Sequence, residues 1–154
     1  MKILITGGAG FLGTRLAQAI LKRPQLMGCS PSHLVLADQA QPVTSLVQDS
    51  RVRVLVGSLI DQCPVLANQQ FDVVFHLAAA VSAECEDDFD LGLRSNLDTS
   101  RTLLDALRAA GNRPRLVFAS SPAVFGSDPG FPIPPGRLAA PLPTPPPPHR
   151  RFPP

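Results

Sequence analysis

The sequence predicts an α/β domain built on a doubly wound parallel sheet, and three observations support this prediction. Short runs rich in Ile, Leu and Val recur along the chain, as is typical of strands that are buried on both faces. Segments with apolar residues at helical spacing separate these runs. The first run ends in a group of glycines that leads directly into a helical pattern, and this order defines a strand–turn–helix unit.

Five predicted strands alternate with helical segments along the chain. The strands are predicted at residues 2–6, 33–37, 52–56, 72–80 (with the small residues that follow the strand) and 115–119. Because parallel crossovers are right-handed, the strand order is predicted to be 3-2-1-4-5. A ligand is therefore expected at the carboxyl ends of the strands, where strands 1 and 4 diverge.

The helical segments are predicted from the spacing of their apolar residues. They cover residues 11–23, a short helix within 39–49, 61–70 and 87–111. In the third of these segments, Val65 and Leu66 are expected to face inward. The leucines of the last segment recur at helical spacings: Leu93, Leu97, Leu103, Leu104 and Leu107.

The glycine turn after the first strand has the form of an anion-binding site. The first N–H groups of a helix lack intrahelical partners, and the helix dipole adds partial positive charge there. A pyrophosphate can satisfy both if the backbone comes close, which side chains at Gly7 and Gly10 would prevent. Gly13 would allow the helix to pack tightly on the strand. Phe11 and Leu12, the first helical residues, complete the predicted phosphate site.

Asp38, after the second strand, favours a dinucleotide site over the alternative of an ordinary strand-to-helix turn. An acid at this position accepts hydrogen bonds from the hydroxyls of the adenosine ribose. The same carboxylate would repel a 2′-phosphate, so Asp38 indicates NAD rather than NADP as the cofactor. A solvated loop acid is the alternative interpretation of Asp38 itself.

The carboxyl ends of the remaining predicted strands contribute further candidate site residues. These residues are Gly57, Ser58, Leu59, Leu77, Ala78, Ala79, Ser120 and Ser121. His76 precedes the small residues after the fourth strand, where a single His is more often a structural hydrogen-bonding group than a catalyst. The clustering of all these positions follows from the predicted topology rather than from any one motif.

Composition and charge argue against several classes of function. The chain has 154 residues, a net charge of +2 and no basic stripe with interleaved aromatics, so a nucleic-acid partner is not predicted. No apolar run approaches the roughly 20 residues of a membrane span, and no signal peptide is recognised, so a cytoplasmic location is expected. Cys29, Cys63 and Cys85 lack metal-ligand spacing and are expected to be ordinary thiols. The acidic run at residues 84–90 is expected to be a solvated face rather than a metal site.

Several motifs together resemble those of a known family. The motifs are the glycine turn at 7–13, Asp38, and residues 76–79, 96–98 and 120–126. They resemble the extended short-chain dehydrogenases, also called NAD-dependent epimerases and dehydratases, and the resemblance runs from residue 1 to about residue 135. Residues 34–39, 88–92 and 123–126 are most similar to members that act on a small sugar acid such as D-erythronate.

The resemblance implies a Rossmann-type NAD-dependent oxidoreductase that oxidises a hydroxyl of a small sugar acid. In the family, a Tyr-x-x-x-Lys pair on the helix after strand 5 takes the hydroxyl proton as hydride leaves for the nicotinamide. A nearby Ser binds the substrate oxygen, and by position this Ser is Ser121, with Ser120 as the next candidate. Asn96 matches the family Asn near the nicotinamide side, and Asp38 matches the acid that selects NAD.

The chain departs from the family pattern most severely in its catalytic pair. It contains no Tyr, and its last Lys is Lys22. Ser58 replaces the acid that usually follows the third-strand glycine, which removes one adenine contact, and Thr99 stands where Gly is common. We therefore expect this chain to be inactive or nearly so, with Ser121 as its one catalytic residue.

A Pro-rich tail at residues 129–154 is predicted to follow the NAD-binding domain at residues 1–128. The tail holds 12 of the 18 prolines. Because Pro lacks an N–H and fixes φ, this stretch cannot form the helix that the family places there, and it should be extended and disordered. One interpretation is a docking arm for an SH3-like partner. We favour the other, a truncated or frameshifted member of the family, and resequencing the locus for a downstream Tyr-x-x-x-Lys frame would decide between them.

Two alternative functions stand beside the oxidoreductase. The first is an NAD-dependent epimerase or dehydratase that acts on a sugar nucleotide through the same NAD site. The second is a non-catalytic module that binds NAD without reaction. The expected partners are a small-molecule substrate, either a sugar acid or a sugar nucleotide, and a second copy of the chain in a homodimer if the protein is full length.

Overall fold

Five parallel strands form one sheet in the computed structural model, which describes residues 1–121. The strands are β1 (Lys2–Thr6), β2 (His33–Asp38), β3 (Val52–Val56), β4 (Val73–His76) and β5 (Arg115–Phe118). Their order across the sheet is β3-β2-β1-β4-β5, which confirms the predicted topology. The chain runs outward from β1 in one direction and resumes at β4 in the other, so the predicted ligand position lies beyond these two strands. The predicted tail at residues 129–154 lies outside the described residues.

The helices lie between the strands, close to the predicted positions. They are α1 (Phe11–Leu21), α2 (Thr44–Val47), α3 (Leu59–Ala67), α4 (Ser82–Asp87), α5 (Phe89–Gly92), a π-helix (Leu93–Asp98) and α6 (Thr99–Ala109). None of the helices in residues 1–121 is long and apolar enough to cross a membrane.

The sheet buries a separate apolar layer on each face, because successive strand residues point to opposite sides. Ile3 and Ile5 of β1 pack on one face with Ala17 and Ile20 of α1. Leu4 packs on the other face, in the layer that contains residues of α3 and α6. These three β1 side chains are fully buried, as the uninterrupted apolar run predicts.

The predicted helical region at residues 87–111 is confirmed from Phe89 to Ala109, where α5, the π-helix and α6 follow one another without a break. Asp88 adopts extended backbone angles, and its side chain accepts a hydrogen bond from the N–H of Leu91, so a new helix begins at Phe89. The π-helix then widens the turn and shifts the helical phase. Consequently the regular leucine spacing does not give one buried stripe. Leu103 and Leu107 are buried, whereas Leu93, Leu97 and Leu104 are exposed.

The prediction for α3 is correct for Leu66 and wrong for Val65. The helix begins at Leu59, two residues earlier than predicted, and its buried residues are Leu59, Cys63, Leu66 and Ala67. This spacing defines one face of a helix, and Val65 lies on the opposite side with 56% of its surface exposed.

β5 lies at the edge of the described sheet, and its apolar side chains are exposed. Leu116, Val117 and Phe118 retain 39%, 41% and 54% of their surface. An edge strand with exposed apolar residues is a template for pairing with another chain. We therefore expect the protein to be marginally stable and to aggregate through this edge.

Val117→Lys should suppress that aggregation, because a charged side chain on an edge strand opposes strand pairing between molecules. We expect the protein concentration at which light scattering begins to rise at least about twofold. Val47→Lys is the matched control, since Val47 is 46% exposed but lies on α2 rather than on β5. Equal effects of the two substitutions on the onset of light scattering would show that aggregation does not proceed through the β5 edge.

Candidate functional site

A cavity of about 580 Å³ opens beyond the carboxyl ends of the strands, where the topology predicts a ligand. The structure brings together residues from four separate predicted strand ends. The predicted site residues that line the cavity are Gly7, Gly10, Asp38, Ser58, Leu59, Leu77, Ala78 and Ala79.

The three glycines of the turn that were predicted to belong to the site have different structural roles. Gly7 has a φ of +70°, and a Cβ there would approach the backbone of Leu77 and Ala78 to 2.9 Å. Gly13 is buried, and a Cβ there would overlap the carbonyl oxygen of Gly7. Gly10 is exposed, and its Cβ would meet only that same oxygen, at 3.3 Å. Gly7 and Gly13 are thus required for packing, whereas Gly10 leaves the backbone open toward the cavity.

The N-terminus of α1 presents backbone donors that the fold does not use. The first intrahelical bond runs from the N–H of Thr14 to the carbonyl of Gly10, at 2.9 Å. In residues 1–121, the N–H groups of Phe11, Leu12 and Gly13 have no hydrogen-bond acceptor. Phe11 and Leu12 are 76% and 62% exposed, and neither residue lines the cavity. Their free N–H groups directly follow Gly10, which does line it.

Asp38 joins the glycine turn to the end of β2. One carboxylate oxygen accepts a hydrogen bond from the N–H of Ala9 at 2.9 Å, and the other accepts from the N–H of Ala40 at 3.0 Å. The carboxylate is half-buried and lines the cavity. Its position is thus fixed by two backbone donors, and its remaining lone pairs can accept from the hydroxyls of a ligand.

His76 is buried in a hydrogen-bond chain rather than exposed in the cavity. The hydroxyl of Ser100 donates to the carbonyl of Asn96 at 2.7 Å, so it accepts from Nε2 of His76 at 2.9 Å. Nδ1 then lacks a proton and accepts from Oγ1 of Thr6 at 2.6 Å. Burial lowers the pKa of His76 below its ordinary value of 6.5, so the ring is held neutral.

This chain of hydrogen bonds also fixes the segment that follows β4. Oγ1 of Thr6 accepts from the N–H groups of Leu77 and Ala78, at 3.2 and 3.3 Å. Both residues line the cavity. Within residues 1–121, His76 has both ring nitrogens occupied and does not line the cavity. The geometry favours the structural interpretation of this His over the catalytic one.

Asn96, like Phe11, Leu12 and Gly13, is a predicted site residue that does not line the cavity. Asn96 uses its side chain to accept from the N–H of Ala80 at 2.8 Å and to donate to the same residue's carbonyl at 3.2 Å. It therefore ties the π-helix to the segment after β4, and a contact with the nicotinamide stays a prediction. Ser121 follows the compact unit Met1–Ala119, so its catalytic role also stays a prediction.

The π-helix supplies cavity residues that sequence reasoning did not select. Arg94 and Ser95 lie within it, and Thr99 follows it directly. A π-turn has no sequence signature, and the apparent helical spacing concealed it. Gly57, which was predicted at the end of the third strand, lines the cavity too. Other residues of the lining lie beside predicted positions, so adjacency could have found them: Ala9, Ala37, Gln39, Ala40, Ile60 and Ala80. Glu84 and Leu91 complete the lining.

The cysteines and acids of the described residues do not form a metal centre. No group of three or more His, Cys, Asp or Glu side chains in residues 1–121 could hold a metal ion. Cys63 is fully buried, and burial raises its thiol pKa to about 11, so it remains a protonated, unreactive thiol. Cys29 is exposed and Cys85 is half-buried.

The parallel sheet, the glycine turn that opens α1 and the acid after β2 define a Rossmann-type α/β fold. The chain belongs to the NAD dependent epimerase/dehydratase family, whose model matches residues 3–151. This match confirms the resemblance described above, and it extends beyond residue 135, where that resemblance was expected to end.

Two curated relatives are D-erythronate dehydrogenases. The chain is 47% identical over 134 residues to the one from Cupriavidus necator, covering 82% of this chain and 40% of the relative. It is 37% identical to the one from Haemophilus influenzae, covering 83% of this chain and 40% of the relative. The chain thus spans about 40% of the length of the curated relatives that it matches.

Solved structures with the same fold include nucleotide-sugar enzymes. A nucleoside-diphosphate-sugar epimerase from Agrobacterium tumefaciens is similar, with a TM-score of 0.77, 41% identity, and coverage of 83% of this chain and 39% of that one. A UDP-glucuronic acid 4-epimerase from Bacillus cereus, solved in complex with NAD, has a TM-score of 0.69 and 30% identity. That likeness covers 82% of this chain and 42% of the epimerase.

Proposed function

We propose that the cavity binds NAD. The observation that carries this proposal is that Gly10 and Asp38 line one cavity, while the unused N–H groups at the N-terminus of α1 directly follow Gly10. The main-chain N–H groups of Phe11 and Leu12 suit the diphosphate, because they are donors at the positive end of a helix. Asp38 suits the hydroxyls of the adenosine ribose, and its charge disfavours a 2′-phosphate.

The remaining predicted site residues divide the cavity into two halves. Ser58 and Leu59 follow β3, on the side of Asp38, and are suited to the adenine. Leu77, Ala78 and Ala79 follow β4, and are suited to the half that carries the nicotinamide. When bound, the nicotinamide ring would accept a hydride from the carbon that bears the substrate hydroxyl.

We propose that the reaction of this family member is the oxidation of a hydroxyl of a small sugar acid such as D-erythronate. The similarity to two D-erythronate dehydrogenases supports this substrate class. Epimerisation or dehydration of a nucleotide sugar is the second candidate, supported by the 41% identity to the A. tumefaciens epimerase. The chain itself has no Tyr and no Lys after Lys22, so no Tyr-x-x-x-Lys pair can act as general base. We infer that it binds NAD with little or no hydride transfer.

Calorimetric titration with NAD and NADP tests this function directly. We expect the chain to bind NAD, and to bind NADP at least about tenfold more weakly because Asp38 repels its 2′-phosphate. Asp38→Ala should weaken NAD binding by about 10- to 100-fold, since it removes charge-assisted hydrogen bonds to the ribose. Gly10→Val should abolish binding, because its side chain would occupy the space where the backbone meets the diphosphate.

Gly10→Val should abolish NAD binding without disturbing the fold. Gly10 has φ −67° and ψ 171°, angles that Val adopts readily, and its Cβ would meet only one atom within 4 Å. Ala19→Val is the matched control, because Ala19 is exposed on α1 and does not line the cavity. A chain with a cooperative unfolding transition that produces no heat with NAD would refute the proposed function.

A further inference from the structure

Arg94 carries the one positive charge among the described residues that line the cavity. The other charged residues of that lining, Asp38 and Glu84, are acidic. A bound dinucleotide would bring a negatively charged diphosphate into this cavity, where the carboxylates of Asp38 and Glu84 repel it. Neutral N–H groups at the helix terminus offset only part of that repulsion, so a cation in the lining has a clear electrostatic role.

The guanidinium of Arg94 is not committed to a strong partner within the described fold. Its nearest acid is Asp88, at 4.0 Å, and the two side chains are 59% and 54% exposed. An ion pair this long and this exposed contributes little to stability. Arg94 can therefore turn its planar set of N–H donors toward a ligand, where it can bind phosphate oxygens in a bidentate manner.

The backbone that carries Arg94 is held in place from both sides. The hydroxyl of Thr99 donates to the carbonyl of Arg94 at 2.7 Å, across the wide turn of the π-helix. Asn96 binds both the N–H and the carbonyl of Ala80, which itself lines the cavity. The π-helix is thus attached to the cavity wall, and the guanidinium needs only side-chain motion to reach a ligand.

We propose that Arg94 binds the diphosphate of the dinucleotide, opposite the N–H groups of Phe11 and Leu12. This inference rests on the proposed function, and it assigns the ionic contact within that site. The alternative contact, packing of the guanidinium on the adenine ring, would leave affinity independent of the phosphates.

Calorimetry with two probes separates these contacts. Arg94→Gln keeps a polar side chain but removes the guanidinium and its charge. We expect it to weaken NAD binding by about 10- to 100-fold and to leave adenosine binding unchanged, because adenosine has no phosphate. Added salt should weaken NAD binding by the wild-type chain more than by the variant, since the removed interaction is ionic.

Arg101→Gln is the matched control. Arg101 lies on α6, its side chain is 78% exposed, it pairs with Asp105 at 3.7 Å, and it does not line the cavity. Arg101→Gln should leave NAD affinity unchanged, and this result would exclude a general effect of net charge. Circular dichroism of each variant verifies that the fold is retained.

The outcomes distinguish this inference from the proposed function. Failure of the wild-type chain to bind NAD overturns the proposed function and this inference with it. Binding of NAD by the wild-type chain with equal affinity in Arg94→Gln overturns the inference alone. Equal weakening of NAD and adenosine also overturns it, because the contact would then be to the base. Selective weakening of NAD supports it.

Discussion

Gly13→Ala is expected to lower the free energy of unfolding by about 3 kcal/mol. A Cβ at residue 13 would overlap the carbonyl oxygen of Gly7 and lie 2.8 Å from the Cα of Gly8. Both are backbone atoms of the glycine turn, so no side-chain rotation relieves the overlap. The helix would have to move away from β1, and α1 contributes Ala17 and Ile20 to the apolar layer there.

Helix propensity alone predicts the opposite sign, which makes the measurement decisive. Ala at a helical position is favoured over Gly by about 1 kcal/mol. Because Gly13 lies in the first turn of α1, propensity would make Gly13→Ala stabilising. Steric overlap with the backbone is the larger effect, so we expect net destabilisation. Urea unfolding followed by circular dichroism measures the difference.

Gly10→Ala is the matched control for this substitution. It lies in the same turn, has backbone angles that Ala adopts, and would place its Cβ 3.3 Å from the oxygen of Gly7. We expect a change within about 0.5 kcal/mol. Equal free energies of unfolding for the two variants would show that the close packing of Gly13 does not determine stability.

The strand order and the site at the strand ends could be predicted from the sequence because their causes are local. Continuous apolar runs identify strands buried on both faces, and the handedness of crossovers then leaves few topologies. Asp38 could be selected because it directly follows such a run. Its hydrogen bond to Ala9 in the glycine turn follows from β1 and β2 being neighbours.

The π-helix in the region after β4 could not be predicted, because its structure depends on tertiary contacts. The widened turn at Leu93–Asp98 is stabilised by the bond from Thr99 to Arg94 and by the link from Asn96 to Ala80. Neither contact can be recognised in the sequence from residues at helical spacing. The same spacing that predicted one regular helix therefore concealed Arg94 as a cavity residue, and it gave no sign that the side chain of Asn96 is bonded to Ala80.

The second large effect concerns pH, and it follows from the neutral state of His76. Protonation would place a proton on Nδ1, facing Oγ1 of Thr6, and that oxygen already accepts from Leu77 and Ala78. Burial also opposes the charge and lowers the pKa of His76 in the folded state. Protonation therefore favours the unfolded chain, in which the His has its ordinary pKa of about 6.5.

The sign and the pH window follow from that lowered pKa. Above about pH 6.5 the ring is neutral in both states, so its contribution to stability is complete. As the pH falls below 6.5, the unfolded chain binds a proton that the folded chain resists, and the free energy of unfolding decreases. The slope approaches about 1.4 kcal/mol per pH unit for one such group, and it ends where the folded state also takes up the proton.

His76→Gln should remove this dependence on pH. We expect the variant to be less stable than wild type by about 1–3 kcal/mol at pH 7.5, because Gln cannot replace both hydrogen bonds of the ring. The difference between the two proteins should shrink as the pH falls from 6.5 to 5, since only wild type loses stability by protonation at this position. Urea unfolding at each pH measures it. His33→Gln, at an exposed residue, should retain the wild-type dependence of the free energy of unfolding on pH. Parallel curves of that free energy against pH for wild type and His76→Gln would contradict the assignment of a neutral, fully bonded His76.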